Sequence, residues 1–132
     1  MNEKVVLDTN ILVSALWSAQ GNPFQIIDYL ISGQLIVYYS LAIMREYRQV
    51  LTRPRFKFSK AEVERILQMI ERHGIEVSVE KSALPLPDES DRIFYDVAKA
   101  SSAYLITGNT KHYPVAPMIM TPAAFLALFE KS

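Results

Sequence analysis

Val5-Val6-Leu7-Asp8-Thr9-Asn10 is the stretch whose reading decides the fold. Three aliphatic residues in a row, two of them β-branched, read as a strand buried on both faces, the usual central strand of a parallel sheet. The run stops at a carboxylate. In open α/β sheets ligands bind outside the carboxyl ends of the strands. A carboxylate beside a core is costly unless it is hydrogen-bonded, paired or bound to a cation. Asp8 therefore calls for donors or a cation, and the rest of the chain should supply the remaining ligands.

Outward from that strand, helix and strand patterns alternate. Residues 10 to about 19 read as a helix broken by Gly21-Asn22-Pro23, where Asn22 and Pro23 suit an N-cap and a first helical residue. Phe24, Ile27, Leu30 and Ile31 recur at helical spacing, and Gly33 ends the run. Leu35-Ile36-Val37-Tyr38-Tyr39 is a second apolar strand. Ser40 caps a helix over about 41–52, which must stop before Arg53-Pro54. Ser59 and Glu62 form a capping-box pattern. They open a helix whose apolar face is Val63, Ile66, Leu67 and Ile70, closed by Gly74. Ile75, Val77 and Val79 alternate with polar residues, as in a short half-exposed strand. Leu84-Pro85-Leu86-Pro87 is a stiff extended linker before a helix over about 90–102. Residues 104–107 form another buried strand ending at Gly108-Asn109, and 118–120 a last short one. Thr121-Pro122 starts a terminal helix through Phe129. This order predicts an α/β fold, one domain over 1–132 with a central parallel sheet flanked by helices.

Composition narrows the chemistry. The chain has 132 residues, half of them hydrophobic, enough for a core and too apolar for disorder. Fourteen basic and fourteen acidic side chains cancel, which excludes bulk electrostatic binding of nucleic acid but allows a local basic patch. Without cysteine, disulfides, thiolate catalysis and thiolate zinc sites are excluded. The two histidines, His73 and His112, do not make a histidine-rich metal site. No stretch approaches the roughly 20 apolar residues of a membrane span, and Asp8 interrupts any secretory signal. A soluble cytoplasmic protein is expected.

The acidic residues follow the strands. In right-handed βαβ units each helix begins at the edge where its preceding strand ends. Asp8 and Asn109 follow strands directly, and Asp91 lies in the first turn of its helix. Glu46 lies about 8 Å along its helix at roughly 1.5 Å per residue. All four can converge on one edge of the sheet. Clustered carboxylates repel and need a cation, and oxygen ligands without sulfur or imidazole suit Mg²⁺ or Mn²⁺. Such an ion activates water and stabilises charge on a phosphodiester. The competing reading is structural, because acids near helix starts also serve as caps.

The pattern resembles the PIN-domain ribonucleases, in particular the VapC-like toxin components of bacterial and archaeal toxin–antitoxin pairs. The matching segments are Val5 through Ala15, Met44-Arg45-Glu46-Tyr47 with Val50-Leu51, Pro87 through Phe94, and Ala103-Tyr104-Leu105-Ile106-Thr107-Gly108-Asn109. They span nearly the whole chain in the family order. The resemblance implies a PIN-like three-layer sandwich, a divalent-metal site of three or four acids, and endoribonuclease activity on single-stranded RNA. It carries the acids onto Asp8, Glu46 and Asp91. The fourth position, normally aspartate after Thr-Gly, is Asn109, which brings an amide oxygen but no charge. Asp88, one turn before Asp91, is an alternative third ligand. Asp96, about 140° around the helix from Asp91, is a weaker candidate.

On this reading Asp8 and Asp91 hold Mg²⁺ or Mn²⁺, and Glu46 ligates it or acts as general base. Thr9, Asn10 and Thr107 hydrogen-bond the carboxylates. Arg45, Arg48, Arg53, Arg55, Lys57 and Lys60, against the single acid Glu46, form a local basic run with Phe56 and Phe58 interleaved, suited to RNA phosphates and base stacking. Lys111 and His112 extend it, although His112 also reads as a plain loop residue. Residues 9–44 hold one charged side chain, Asp28, and an apolar stripe broader than one face there would be an association surface. By resemblance, an antitoxin binds along helices beside the site and puts a basic side chain into it, and the toxin is a homodimer. The alternative from another class is a catalytically weak PIN module that binds RNA or protein.

Overall fold

The structure is a computed structural model, and it describes residues 3–131. Five strands, β1 (Glu3–Leu7), β2 (Leu35–Tyr39), β3 (Ile75–Glu76), β4 (Tyr104–Ile106) and β5 (Ile119–Met120), form one sheet in the order β3-β2-β1-β4-β5. Every pairing is parallel. Six helices flank it: α1 (Thr9–Trp17), α2 (Asn22–Ile31), α3 (Leu41–Leu51), α4 (Lys60–His73), α5 (Arg92–Ser101) and α6 (Pro122–Glu130). Short 3₁₀ turns occupy Pro54–Phe56, Glu89–Asp91 and Thr110–His112. Val5, Val6 and Leu7 are all fully buried. Successive strand residues point to opposite faces, so both faces of β1 are covered, as the aliphatic run requires.

The sheet order places the functional edge. From β1 the chain crosses through α1 and α2 to β2 on one side, while β4 lies on the other side and leads away to β5. The ends of β1 and β4 therefore flank a topological switch point, where a crevice opens. Leu7 is opposite Ile106 in the ladder. The Asp8 N–H still donates to the Ile106 carbonyl at 3.0 Å. This extra rung holds Asp8 and Thr107 side by side at the sheet rim.

Local chemistry explains most boundaries. Ser40 Oγ accepts the Ile43 N–H at 3.2 Å, starting α3. Ser59 and Glu62 make the reciprocal capping box of α4, at 3.1 and 2.9 Å. Thr121 Oγ1 caps α6 through the Ala124 N–H. Several boundaries differ from the sequence expectation by a residue or two, such as α1 ending at Trp17, and three differ in kind. The N-cap of α2 is Gly21, with Asn22 and Pro23 as its first two residues; proline has no N–H to leave unpaired at either position. The strand expected over residues 75–79 is ladder-paired only at Ile75 and Glu76, although the Val77 N–H still reaches the Tyr39 carbonyl at 2.8 Å. The helix expected from Ser90 opens as a 3₁₀ turn, and α5 proper starts at Arg92.

Gly74 closes α4 against β2. A Cβ there would lie 2.5 Å from the Ile70 carbonyl oxygen and 2.8 Å from both Val37 Cγ1 and the Val37 carbonyl oxygen. Two of these contacts are backbone and cannot step aside. Gly74→Ala is expected to destabilise the fold by about 1–3 kcal/mol through overpacking. Chemical denaturation measures this, and an unchanged midpoint would contradict the packing described.

Candidate metal centre

Asp8 occupies the N-cap position of α1, but its side chain makes no capping hydrogen bond. It is 7% exposed. Two hydroxyls instead converge on one of its oxygens: Thr107 Oγ1 donates to Oδ2 at 2.8 Å and the Tyr113 hydroxyl donates to the same Oδ2 at 3.0 Å. Among the described residues no hydrogen bond goes to Oδ1. One oxygen is saturated and fixes the carboxylate, and the other is left for a ligand. Burial, then the charges of Asp8 and Asp91, raise the Tyr113 phenol far above its ordinary pKa. It therefore stays a donor at any working pH.

Asp91 ends the 3₁₀ turn that leads into α5 and is 8% exposed. Its side chain caps nothing either. Its Oδ2 is buried without a hydrogen-bond partner. His112 Nδ1 lies 3.2 Å from that oxygen, close enough for an ion pair but not aligned as a hydrogen bond. Burial is the main reason its carboxyl is pushed up to about 6, with the charges of Asp8 and Asp88 adding to it and His112 opposing. Asp8 and Asp91 thus feel each other across the crevice. Asp88 is exposed and uses Oδ1 to accept the Ser90 N–H and hydroxyl at 3.0 and 2.8 Å, bonds that lower its pKa.

The other predicted residues separate into those at this edge and those elsewhere. Thr107 touches Asp8. Asn10 does not; its Oδ1 accepts the Gly108 N–H at 3.2 Å and ties α1 to the loop after β4. Thr9 Oγ1 is buried with no partner. Asn109 is exposed, its N–H donates to Thr107 Oγ1 at 3.1 Å, and its Nδ2 lies 2.9 Å from His112 Nε2. Glu46 is partly buried on α3 and has no hydrogen bond or ion pair among the described residues. Its neighbour Tyr47 is fully buried and donates its hydroxyl to the Leu7 carbonyl at 2.6 Å, which clamps this turn of α3 to the end of β1.

Among the described residues, the metal-ligating atoms that lie within 4.8 Å of one another belong to Asp88, Asp91 and His112. Asp8 and Glu46 fall outside that group. Asp96 is elsewhere: buried, it accepts the Ser82 N–H at 3.0 Å, while Arg92 donates to the Ser82 carbonyl and hydroxyl and grips Glu89. These two residues pin the linker that delivers Asp88 and Asp91. Sequence reasoning missed Tyr113 and underrated His112. For His112 the available signal was its spacing of three from Asn109, one turn of 3₁₀ helix; for Tyr113 there was none.

Of the basic run, Arg45, Arg53 and Arg55 are exposed, and Arg48 is paired with Glu64 on α4. Arg55 lies over the Phe56 ring at 4.8 Å. Phe56 and Phe58 are partly buried and stack on each other and against Trp17, which is 62% exposed. Lys111 is exposed beside His112.

A family model described as PIN domain matches residues 4–111. The chain belongs to the PIN-domain family. An uncharacterized protein of Methanocaldococcus jannaschii, MJ1680, is similar to it, 27% identical over 97% of this chain and 92% of that one. Two solved structures share the fold. VapBC2 from Rickettsia felis, bound to a DNA fragment from its promoter, matches with a TM-score of 0.58 at 17% identity, over 89% of this chain and 96% of that one. A toxin–antitoxin complex from Klebsiella pneumoniae matches with a TM-score of 0.58 at 20% identity, over 89% and 97%. Within this PIN domain, the donor set suits a hard dication: carboxylate oxygens around a buried, unpartnered Asp91 Oδ2.

The raised carboxyl of Asp91 has a thermodynamic consequence. The folded value of about 6 lies above the ordinary 3.8. Folding therefore takes up a proton between these values, and stability falls as pH rises through that window. Without divalent ions, Asp91→Asn should stabilise the PIN domain by on the order of 1–3 kcal/mol above pH 6. The gain should vanish below about pH 4, where both states are protonated. Thermal melts across pH in a chelator test this, and a gain independent of pH would refute the assignment.

Proposed function

We propose that this PIN domain is a divalent-metal-dependent endoribonuclease that cleaves single-stranded RNA, the toxin of a type II toxin–antitoxin pair. The observation that carries the reading is the pair of prepared carboxylates at the β1–β4 rim. Asp8 keeps Oδ1 free while two hydroxyls hold Oδ2. Asp91 buries an oxygen whose nearest polar neighbour is the exposed His112 ring, at 3.2 Å and outside hydrogen-bond geometry. A site without a cation would leave two neighbouring, mostly buried anions facing each other, which is unfavourable. Family membership and likeness to toxin–antitoxin structures support the same reading.

Asp8 and Asp91 would hold Mg²⁺ or Mn²⁺. When bound, the ion supplies charge neutralisation at the phosphoryl group and a lowered pKa for water. Thr107 and Tyr113 keep Asp8 oriented through the reaction. Glu46, free of competing partners among the described residues, takes the proton of the attacking water as its oxygen bonds to phosphorus, and the leaving sugar oxygen departs and takes a proton from solvent. Arg45, Arg53, Arg55 and Lys111 bind flanking phosphates, and Arg48 joins them only by releasing Glu64. A shallow groove of about 240 Å³ between α1, α2 and α4, lined by Leu16, Phe24, Ile27, Ile31 and Met69, offers apolar surface to an antitoxin. Homodimerisation in the cytoplasm belongs to the same proposal. Among the described residues no helix is long and apolar enough to cross a membrane.

A second reading has one observation in its favour. Asn109 stands where a fourth acid would, and its amide is turned to His112. On that reading the chain is a PIN module that binds RNA or protein with little catalysis. Titration calorimetry separates the two, since only the nuclease requires the ion.

Asp8→Asn is expected to keep the fold and lower RNA cleavage by more than about 100-fold, beyond what loss of an outer-shell partner costs. Cleavage of single-stranded RNA by purified protein, with circular dichroism as fold control, makes the test. Full activity in this variant would overturn the nuclease reading.

A further inference from the structure

Away from the metal centre, α1 ends on Trp17, which is 62% exposed and is the one exposed aromatic side chain among the described residues. We propose that Trp17, braced by Phe56 and Phe58, is a stacking platform for one base of single-stranded RNA, with Arg53, Arg55 and Lys57 holding the neighbouring phosphates. The inference rests on the RNA reading above and adds to it the residue that tells an unpaired base from a duplex.

Three observations carry it. The first is the bracing. The Trp17 and Phe56 rings meet edge-on, centroids 5.4 Å apart and planes at 66°, and Phe58 lies at 6.0 Å and 55°. Phe56 and Phe58 stack on each other at 5.7 Å with planes 13° apart. These are the spacings of favourable aromatic pairs. Two rings therefore fix the indole and still leave it largely open.

The second is the backbone between the two phenylalanines. Lys57 sits in the left-handed region at φ 58°. A lysine is strained there, whereas a glycine would not be. Non-glycine residues in such conformations cluster at ligand sites, where the strain serves to place neighbouring groups. Here the turn lets Phe56 stack on Phe58 and keeps the Lys57 side chain exposed.

The third is charge. Residues 47–61 carry five basic side chains and no acid. Arg48 is paired with Glu64, but Arg53, Arg55, Lys57 and Lys60 are exposed and form no ion pair among the described residues. Arg55 lies over the Phe56 ring at 4.8 Å, which holds a guanidinium beside the indole's support. Aromatic rings amid unpaired cations are the combination that binds single strands: the cations track the backbone, and any base can stack. A duplex keeps its bases stacked on one another and offers these residues its phosphates alone. An acidic protein segment is the competing occupant. It would use the cations but not the open indole, so the rings favour a base.

The position suits a substrate path. α1 begins at Thr9, next to Asp8, and Trp17 lies about 12 Å further along it at roughly 1.5 Å per residue. α3 packs against α1 and leads from Arg45 and Glu46 to Arg53 just past its end. RNA cut at the rim and following these helices reaches Trp17 within a few nucleotides. The groove between α1, α2 and α4 takes Leu16 but none of the three rings, so the platform is separate from it.

Trp17 is the one tryptophan of the chain, so its fluorescence reports this site alone. The test titrates the full chain, in chelator to prevent cleavage, with an unstructured single-stranded RNA of about 12 nucleotides, and separately with a duplex of the same length. Anisotropy of an end-labelled copy follows binding itself. Saturating single strand should quench the indole by about half or more, and duplex by less than about a tenth. Trp17→Ala should bind the single strand about fivefold or more weakly, and Trp17→Phe within about threefold of the native chain. Arg55→Gln should lower the salt slope of binding by about one phosphate contact. Circular dichroism checks that each variant keeps the fold. Single-stranded RNA bound with a silent indole, or bound as tightly by Trp17→Ala as by the native chain, overturns the inference and leaves the RNA reading standing. Quenching by polyglutamate and not by RNA overturns it in favour of an acidic protein partner. Absence of RNA binding in chelator also overturns it, since none of these groups needs the metal; absence of cleavage with MnCl₂ as well overturns both readings.

Discussion

The structure is organised around two carboxylates that repel each other across the rim between β1 and β4. Asp8 and Asp91 are both more than nine-tenths buried, and neither caps the helix it precedes. Burial of like charges beside each other is tolerated only with donors, protonation or a cation. Asp8 has donors, on one oxygen alone. Asp91 has only the His112 ring near its buried oxygen, and burial, with the charges of Asp8 and Asp88, pushes its carboxyl up to about 6. The asymmetry makes Asp8 the fixed member of the pair and Asp91 the less well satisfied one.

Much of the fold serves to hold this pair in place. The backbone rung from Asp8 to Ile106 sets Thr107 beside the anchor. Tyr113 reaches the same oxygen from the loop beyond β4. Tyr47 ties α3 to the carbonyl just before Asp8, so the turn bearing Glu46 is fixed relative to the rim. On the other side, Arg92 and Asp96 fasten the proline-rich linker at Ser82, which delivers Asp88 and Asp91 in a defined turn. Each of these is a buried or half-buried polar contact between segments far apart in sequence. Such contacts preorganise a site more effectively than loops alone do.

The fold was legible because its signals are local. The aliphatic runs at Val5–Leu7 and Leu35–Tyr39, the caps at Ser40 and Thr121 and the box at Ser59 and Glu62 each act within a few residues. Errors were confined to boundaries: Gly21 displaces Asn22 as a cap, and β3 is shorter than its alternating pattern. The site was legible only in part. Asp8 and Asp91 share the rim and Thr107 bonds the first of them, but Asn10 braces Gly108 instead, and Asp96 holds the linker. Tyr113 was invisible because its partner lies 105 residues away and no periodicity marks it. His112 read as a loop residue because the 3₁₀ turn that folds it back onto Asp91 has no strong sequence signature. Phe56 and Phe58, which alternate with basic residues, are largely occupied by Trp17 and by each other.

The most direct test of the central claim is the anomalous scattering of Mn²⁺ in crystals of the native chain. A peak in coordination contact with both Asp8 Oδ1 and Asp91 Oδ2 is the expected result. A structure at saturating Mn²⁺ with no peak at this rim, or with Asp8 and Asp91 turned to separate partners, would contradict it.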